Sequence, residues 1–452
     1  MSELDANELL KTDKAHLIHP LSHPQDHTEP LIFVRGKGAV LTDVRGRQYI
    51  DGLSGLWNVN VGHGRQELAE AAATQMSTLA YCSAYAGASN VPAIQLAARL
   101  SELAYPSLNT VFFASGGGEA NESAFKTARF YWKAKGKPDK IKIIARQLAY
   151  HGVTLATMSA TGMPAYWKMF EPRVPGFTHI PSPYPYRFEG VREGESIGAA
   201  ASRALEEAIL REGPETVAAF IAEPVQGAGG VIVPPDDYFP RVREICSRYD
   251  VLFIADEVIT GFGRTGRWFA LMRWGVEPDI LSFAKGITSG YLPLGGIMVS
   301  DEIRDTILSV PYEDRWMHAY TYSGHPTCCA VALKNLEILE DEGLVGRAEQ
   351  MGKKLLEGLQ ALYELPAVGD VRGLGLMAAV ELVADREKKT PFDPVLRVGR
   401  RVRREAQERG LFTRFIRDVL ALAPPLVVTE EQVDRIVEGL RGAIQAVVPG
   451  CA

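Results

Sequence analysis

The chain reads as an α/β protein, with a large domain whose mostly parallel sheet lies between helices and a smaller α+β domain. Three observations predict this. From Val111 onward, apolar runs of strand length alternate with amphipathic helical stretches, the pattern of parallel strands joined by crossovers. Three polar groups (Glu223, Asp256 and Lys285) follow such runs at their carboxyl ends, where ligands of open α/β sheets bind. After about Leu365 the pattern changes to short strands with two helices.

The elements follow in order. His16, His19, His23 and His27 lie among prolines at 20, 24 and 30, which keep a helix from presenting them on one face. An ordered arm that holds no metal is expected. Residues 32–51 alternate and turn like an antiparallel meander, and 54–64 form a glycine-punctuated loop around Trp57. A helix follows from about 66 to 79. Strands are predicted at 111–114, 141–145, 217–222, 251–255, 280–283 and 296–299, and helices at 119–135, 196–211, 238–249 and 327–342. Prolines and aromatics crowd 164–188, which reads as an irregular excursion near a site. Later strands fall at 368–372, 377–382 and 420–423, and the last helix opens on a capping box, Thr429 to Gln432. The expected division is 1–59, an arm and meander belonging to the small domain; 60–325, the large cofactor-binding domain; and 326–452, a linker helix and the rest of the small domain.

Composition excludes several classes of function. A net charge of −6 and a pI near 5.9 give no basis for nucleic acid or an anionic membrane as partner. Cys82, Cys246, Cys328, Cys329 and Cys451 contain no Cys-x-x-Cys pair, which fits a reducing cytoplasm. The polar N-terminus lacks the apolar core of a signal peptide, and no apolar stretch approaches membrane-spanning length.

The chemistry centres on Lys285, where an apolar run ends in an amine and breaks into glycine-rich loop. A lone lysine at a strand end would simply snorkel to solvent. Asp256, at the end of the preceding strand, changes that reading. A buried acid beside an amine of lowered pKa suits a protonated pyridine ring and a Schiff base, the two needs of pyridoxal 5′-phosphate. Ser115-Gly116-Gly117-Gly118-Glu119 follows a strand and opens a helix, so its backbone N–H groups can cradle a phosphate. A flexible turn is the plain alternative. No Gly-Lys-Ser/Thr follows, which excludes the nucleotide P-loop. Tyr150, beside His151, can stack on a flat ring or simply pack. The stretches 261–266 and 373–378 match Gly-x-Gly-x-x-Gly or its looser form, so a nicotinamide oxidoreductase is a rival, although neither match bridges a strand into a long helix.

Together, Ser-Gly-Gly-Gly-Glu-Ala-Asn, Tyr-His-Gly, Glu-Pro-Val-Gln-Gly, Asp-Glu-Val-Ile-Thr-Gly-Phe-Gly-Arg-Thr-Gly, Ala-Lys-Gly-Ile-Thr-Ser-Gly-Tyr and Thr-Tyr-Ser-Gly-His-Pro resemble the class III aminotransferases, in the same order and over 31–448. The resemblance is strongest to the ω-transaminase branch, of the amine or β-alanine:pyruvate type. It implies PLP fold type I, whose large domain carries a mostly parallel seven-stranded sheet between helices beside a smaller α+β domain, and a homodimer with shared active sites, and leaves open whether dimers pair into tetramers. By position, Lys285 holds the cofactor and moves protons, and Asp256 keeps its ring nitrogen protonated. Gly117 and Gly118 bind the phosphate, with Thr321 and Tyr322 reaching it from the partner subunit. Tyr150 and Val258 cover the two ring faces, His151 belongs to the cofactor site, and Glu223 supports the Asp256 network. Leu56, Trp57, Tyr85 and Ala228 are implied as pocket walls, and Arg414 as the binder of a substrate carboxylate, with Arg417 competing.

Two departures bear on the acceptor. Ala228 stands where glutamate-using relatives carry an acid, and Ile259 where they carry glutamine. The implied reaction is transfer of an amino group from a primary amine or ω-amino acid to pyruvate, giving alanine and an aldehyde or ketone. A glutamate-semialdehyde aminomutase and a dialkylglycine decarboxylase are the alternatives within the same fold.

Overall fold

The computed structural model describes residues 5–21, 23, 29–85 and 87–448; His27 and Cys451 lie outside them. Helix α1 (Ala6–His16), unforeseen in the arm, is capped by the Asp5 carboxylate. Strands β1 (Phe33–Lys37), β2 (Val40–Asp43) and β3 (Gln48–Asp51) form the antiparallel meander that the alternation predicted. A kinked turn, α2 (Ser54–Trp57), and helix α3 (Gln66–Thr78) follow, then α4 (Val91–Leu103), which the sequence reading missed. Its start is nonetheless encoded: Asn90 caps it and Pro92 stands in its first turn.

The central sheet has seven strands in the order β4 (Leu108–Ala114), β10 (Gly295–Ser300), β9 (Ile280–Phe283), β8 (Leu252–Asp256), β7 (Val217–Ala222), β5 (Lys142–Arg146) and β6 (Phe177–Ile180). From β9 to β6 all pairings are parallel, while β10 runs antiparallel to both neighbours. Helix α5 (Gly117–Ala134) covers one face, packing on Ile143, Leu252, Ile254, Ile280 and Ile297. Intervening residues such as Ile144, Phe220, Phe253, Leu281 and Met298 belong to the core on the other face. Helices α7 (Ile197–Glu212), α8 (Tyr238–Arg248) and α10 (Pro326–Asp341) lie in that second layer, with α6 (Leu155–Ala160) and α9 (Asp301–Ser309) at the α5 side. Both sheet faces are therefore dry, and the central strands can be apolar throughout. The seventh strand, β6, falls inside the stretch read as irregular. It is short, half-buried and set between prolines, too brief to register as alternation.

After α11 (Leu344–Gln360) a second, antiparallel sheet forms in the order β11 (Val368–Gly373), β12 (Ala378–Leu382), β15 (Val419–Leu422) and β14 (Arg414–Ile416). Helices α12 (Val398–Glu408) and α13 (Glu430–Val447) pack on each other, and the capping box of Thr429 and Gln432 is formed at the start of α13. One short strand, β13 (Leu411–Phe412), leaves this sheet to run parallel beside β3. The last part of the chain thus completes the sheet that the first part began. No helix among the described residues is long and apolar enough to cross a membrane.

Candidate active site

Strands β7, β8 and β9 are neighbours, so the polar groups at their carboxyl ends converge. Asp256 ends β8 and is 3% exposed. Its Oδ2 accepts hydrogen bonds from Asn121 Nδ2 at 2.8 Å and lies 2.8 Å from His151 Nδ1, while Oδ1 accepts the Val258 N–H at 3.2 Å. Asn121 also donates to the His151 carbonyl at 2.8 Å. His151 stands behind Asp256, buried and orienting it. Asn121 went unrecognised in the sequence. Its signal was the i, i+4 spacing from Gly117, which puts it on the same face of α5.

Glu223 follows β7 and is fully enclosed, which raises its pKa. It accepts the Tyr150 N–H at 3.0 Å and the Gly227 N–H at 3.1 Å, so its direct hydrogen bonds go to two loop backbones and none to Asp256. Lys285 begins a 3-10 turn just past β9 with φ of 49°, a left-handed conformation that costs a non-glycine residue about 1–3 kcal/mol. Burial lowers the pKa of its amine, and Asp256 and Glu223 oppose that shift.

Helix α5 opens at Gly117 with no side chain capping it, while Glu119 turns back to accept the Ser115 N–H at 2.8 Å. The first N–H groups of the helix therefore lack intrahelical acceptors and carry the positive end of its dipole. A Cβ on Gly117 would stand 2.9 Å from Val258 Cγ1, so only glycine lets the two segments approach this closely. An anion cradle, a positioned carboxylate and a buried amine of lowered pKa fit the donor set that pyridoxal 5′-phosphate requires.

A cavity of about 470 Å³ opens beside Lys285 and is lined by Leu56, Trp57, Ala228 and Arg414, which the resemblance implies for the substrate, and by Tyr150, which it implies for a cofactor ring face. Tyr166, Phe170, Met158 and Leu155 extend its apolar wall, as does Leu21 of the arm. Tyr166 and Phe170 fall in the stretch 164–188 that the sequence places near a site, whereas Leu155 and Met158, in the short helix α6, and Leu21 were not foreseen. Among the described residues, Lys285 and Arg414 are the only charged ones on the lining. Arg417 lies at the β14–β15 turn and faces a different cavity. Tyr85, Thr321 and Tyr322 are absent from this lining. Tyr85 and Tyr322 are exposed, and the Thr321 carbonyl accepts a 2.8 Å hydrogen bond from Tyr81.

Neither glycine-rich match is a dinucleotide turn. The stretch 373–378 runs from the last residue of β11 to the first of β12 and opens no helix. The stretch 261–266 delivers Arg264, which is fully buried and whose pKa burial pushes down to about 9. Arg264 donates to Ser54 Oγ at 3.0 Å, to Asn60 Oδ1 at 2.7 Å and to the Pro424 carbonyl. It thereby pins the loop that presents Leu56 and Trp57, where Ser54, Gly55 and Trp57 all have positive φ.

A family model described as aminotransferase class III matches residues 21–444. The chain is 42% identical to the putrescine–pyruvate aminotransferase of Pseudomonas aeruginosa, over 90% of this chain and 88% of that one. It is 40% identical to the diaminobutyrate–2-oxoglutarate transaminase of Halomonas elongata, covering 97% and 96%. The crystal structure of an (S)-enantioselective ω-transaminase from Thermomicrobium roseum superposes with a TM-score of 0.95 at 49% identity, covering 98% and 99%.

Proposed function

The chain belongs to the class III aminotransferase family, and on that premise we propose that it is an ω-transaminase moving an amino group from a primary amine to pyruvate. The observation that carries this reading is the pairing of Lys285 with Arg414, the one guanidinium on a cavity lining that is otherwise uncharged among the described residues.

The family depends on pyridoxal 5′-phosphate, which when bound supplies an aldehyde that condenses with amines and a ring that withdraws electrons. Gly117 and Gly118 would hold its phosphate through backbone N–H groups. Asp256 would keep the ring nitrogen protonated, its own orientation locked by Asn121 and His151. Tyr150 would cover one ring face and Val258 the other, and Glu223 fixes the backbone beneath Tyr150. Lys285 Nζ, held toward its neutral form by burial, can take the proton from the carbon bearing the amine and return it on the other side of the transfer. Arg414 would bind the pyruvate carboxylate with its planar fork. Among the described residues no carboxylate lines the cavity to pair with that arginine or to welcome a second ammonium, which supports pyruvate and donors with apolar tails.

In the homodimer that this reading includes, Thr321 and Tyr322 reach the neighbouring subunit's phosphate site and Tyr85 joins its wall, which accounts for their position outside their own cavity. The test is a panel of donors against two acceptors. Alanine should form from pyruvate with benzylamine-like donors faster than with diamines. Turnover with 2-oxoglutarate equal to or above that with pyruvate overturns the acceptor.

A further inference from the structure

A second cavity, of about 750 Å³, is lined by residues 415–419 of the β14–β15 hairpin, whose Arg414 borders the cavity beside Lys285. The protein is acidic overall, yet four arginines (Arg187, Arg397, Arg400 and Arg417) line this space against two carboxylates, Glu381 and Asp418. Both acids are already engaged within the fold. Glu381 is bound by Arg187 at 2.6 Å and by Arg372 at 2.9 Å, and Asp418 accepts the Gly399 N–H at 2.8 Å at the start of α12. Arg397 and Arg417, by contrast, make no side-chain hydrogen bond or ion pair among the described residues. Their backbones are held at φ of 48° and 54°, strained for any residue but glycine, and both side chains stand at the same cavity. Phe392, Phe415 and Tyr184 add flat apolar surface.

We propose that this cavity binds a small ligand that joins a carboxylate to a flat apolar body, with Arg397 and Arg417 gripping the carboxylate and the aromatic side chains covering the body. Planar guanidiniums match a carboxylate bidentately, and an apolar wall beside them favours an anion with a ring over a fully hydrated one. The site adjoins the catalytic cavity without sharing its cation. Successive residues of β14 serve the two, Arg414 the catalytic side and Phe415 this one. The proposal does not depend on which acceptor the enzyme uses.

The probe is benzoate, titrated into holoenzyme carrying Arg414→Ala and followed by ligand-observed NMR, so that the catalytic cavity has lost its carboxylate binder. Benzoate should bind, and adding Arg397→Gln and Arg417→Gln should weaken it at least about tenfold. Benzamide, neutral and of the same shape, should bind at least about tenfold more weakly than benzoate, and so should inorganic phosphate. Absence of binding in the Arg414→Ala holoenzyme, affinity unchanged by the two further substitutions, or benzamide or phosphate matching benzoate overturns the proposal.

Discussion

Arg414 shows how much one side chain can decide in an apolar setting. A guanidinium sharing the cavity with Lys285, with no acid on the lining among the described residues, is available to any carboxylate that enters and has little to offer an uncharged tail. Arg414→Ala should therefore raise the KM for pyruvate at least about tenfold while leaving that for an amine with an apolar tail within about threefold, as read from steady-state kinetics. At this scale the sequence was informative where chemistry and position coincide. Lys285 and Asp256 could be found because a charged group at the end of a buried strand has no cheap structural excuse. Asn121 and Arg264 could not, because their partners, Asp256 for one and Ser54 and Asn60 for the other, come from remote segments that only the fold brings near.

Among the elements, α5 ties cofactor binding to sheet packing. Gly117→Ala would set a methyl 2.9 Å from Val258 Cγ1, at the point where the helix N-terminus must stay open. We expect cofactor affinity to fall about tenfold, measured by absorbance titration of the apoprotein, with kcat at saturation within about threefold. The same helix also docks the segment before α10. There His318 Nε2 lies 2.8 Å from Ser123 Oγ and Nδ1 lies 2.9 Å from Lys126 Nζ, and burial, with Lys126 second, pushes its pKa down to about 4. The folded-state value lies below the ordinary 6.5, so the unfolded chain takes up this proton first as pH falls. Its contribution to stability should be intact above about 6.5, decline between 6.5 and 4 and level off below, and His318→Gln should flatten that part of a denaturation series. The central strands β7, β8 and β9 were legible as unbroken apolar runs. Strand β6 and helix α4 were not, the first for brevity at a sheet edge and the second because only Leu96, Leu100 and Leu103 of its thirteen residues are buried.

For the whole molecule, the placement of Thr321 and Tyr322 outside their own cavity makes shared sites testable. Neither Lys285→Ala nor Thr321→Val should restore the other within its own homodimers. If subunits share their sites, a mixed dimer would contain one site with both residues intact, so refolding the two variants together should give activity above either alone. Absence of any rise counts against site sharing. The overall α/β plan was readable from alternation, because crossovers impose a long rhythm on the chain. The layout of the catalytic cavity was not, since it borrows walls from the arm, the 54–60 loop and the irregular stretch before β6.

The parallel pairing of β13 with β3 carries a consequence for how the enzyme comes into being. A nascent polypeptide emerging from the ribosome can build its first three strands early, but it waits for Leu411 and Phe412 before that sheet has its fourth member. Pro424, which accepts from Arg264 to anchor the neighbouring loop, arrives later still. Synthesis thus withholds a finished substrate pocket until Arg414 and Pro424 have been translated, and a product terminated before them would keep Lys285 and Asp256 but lack the guanidinium that selects a carboxylate and the carbonyl that anchors the Leu56 and Trp57 loop.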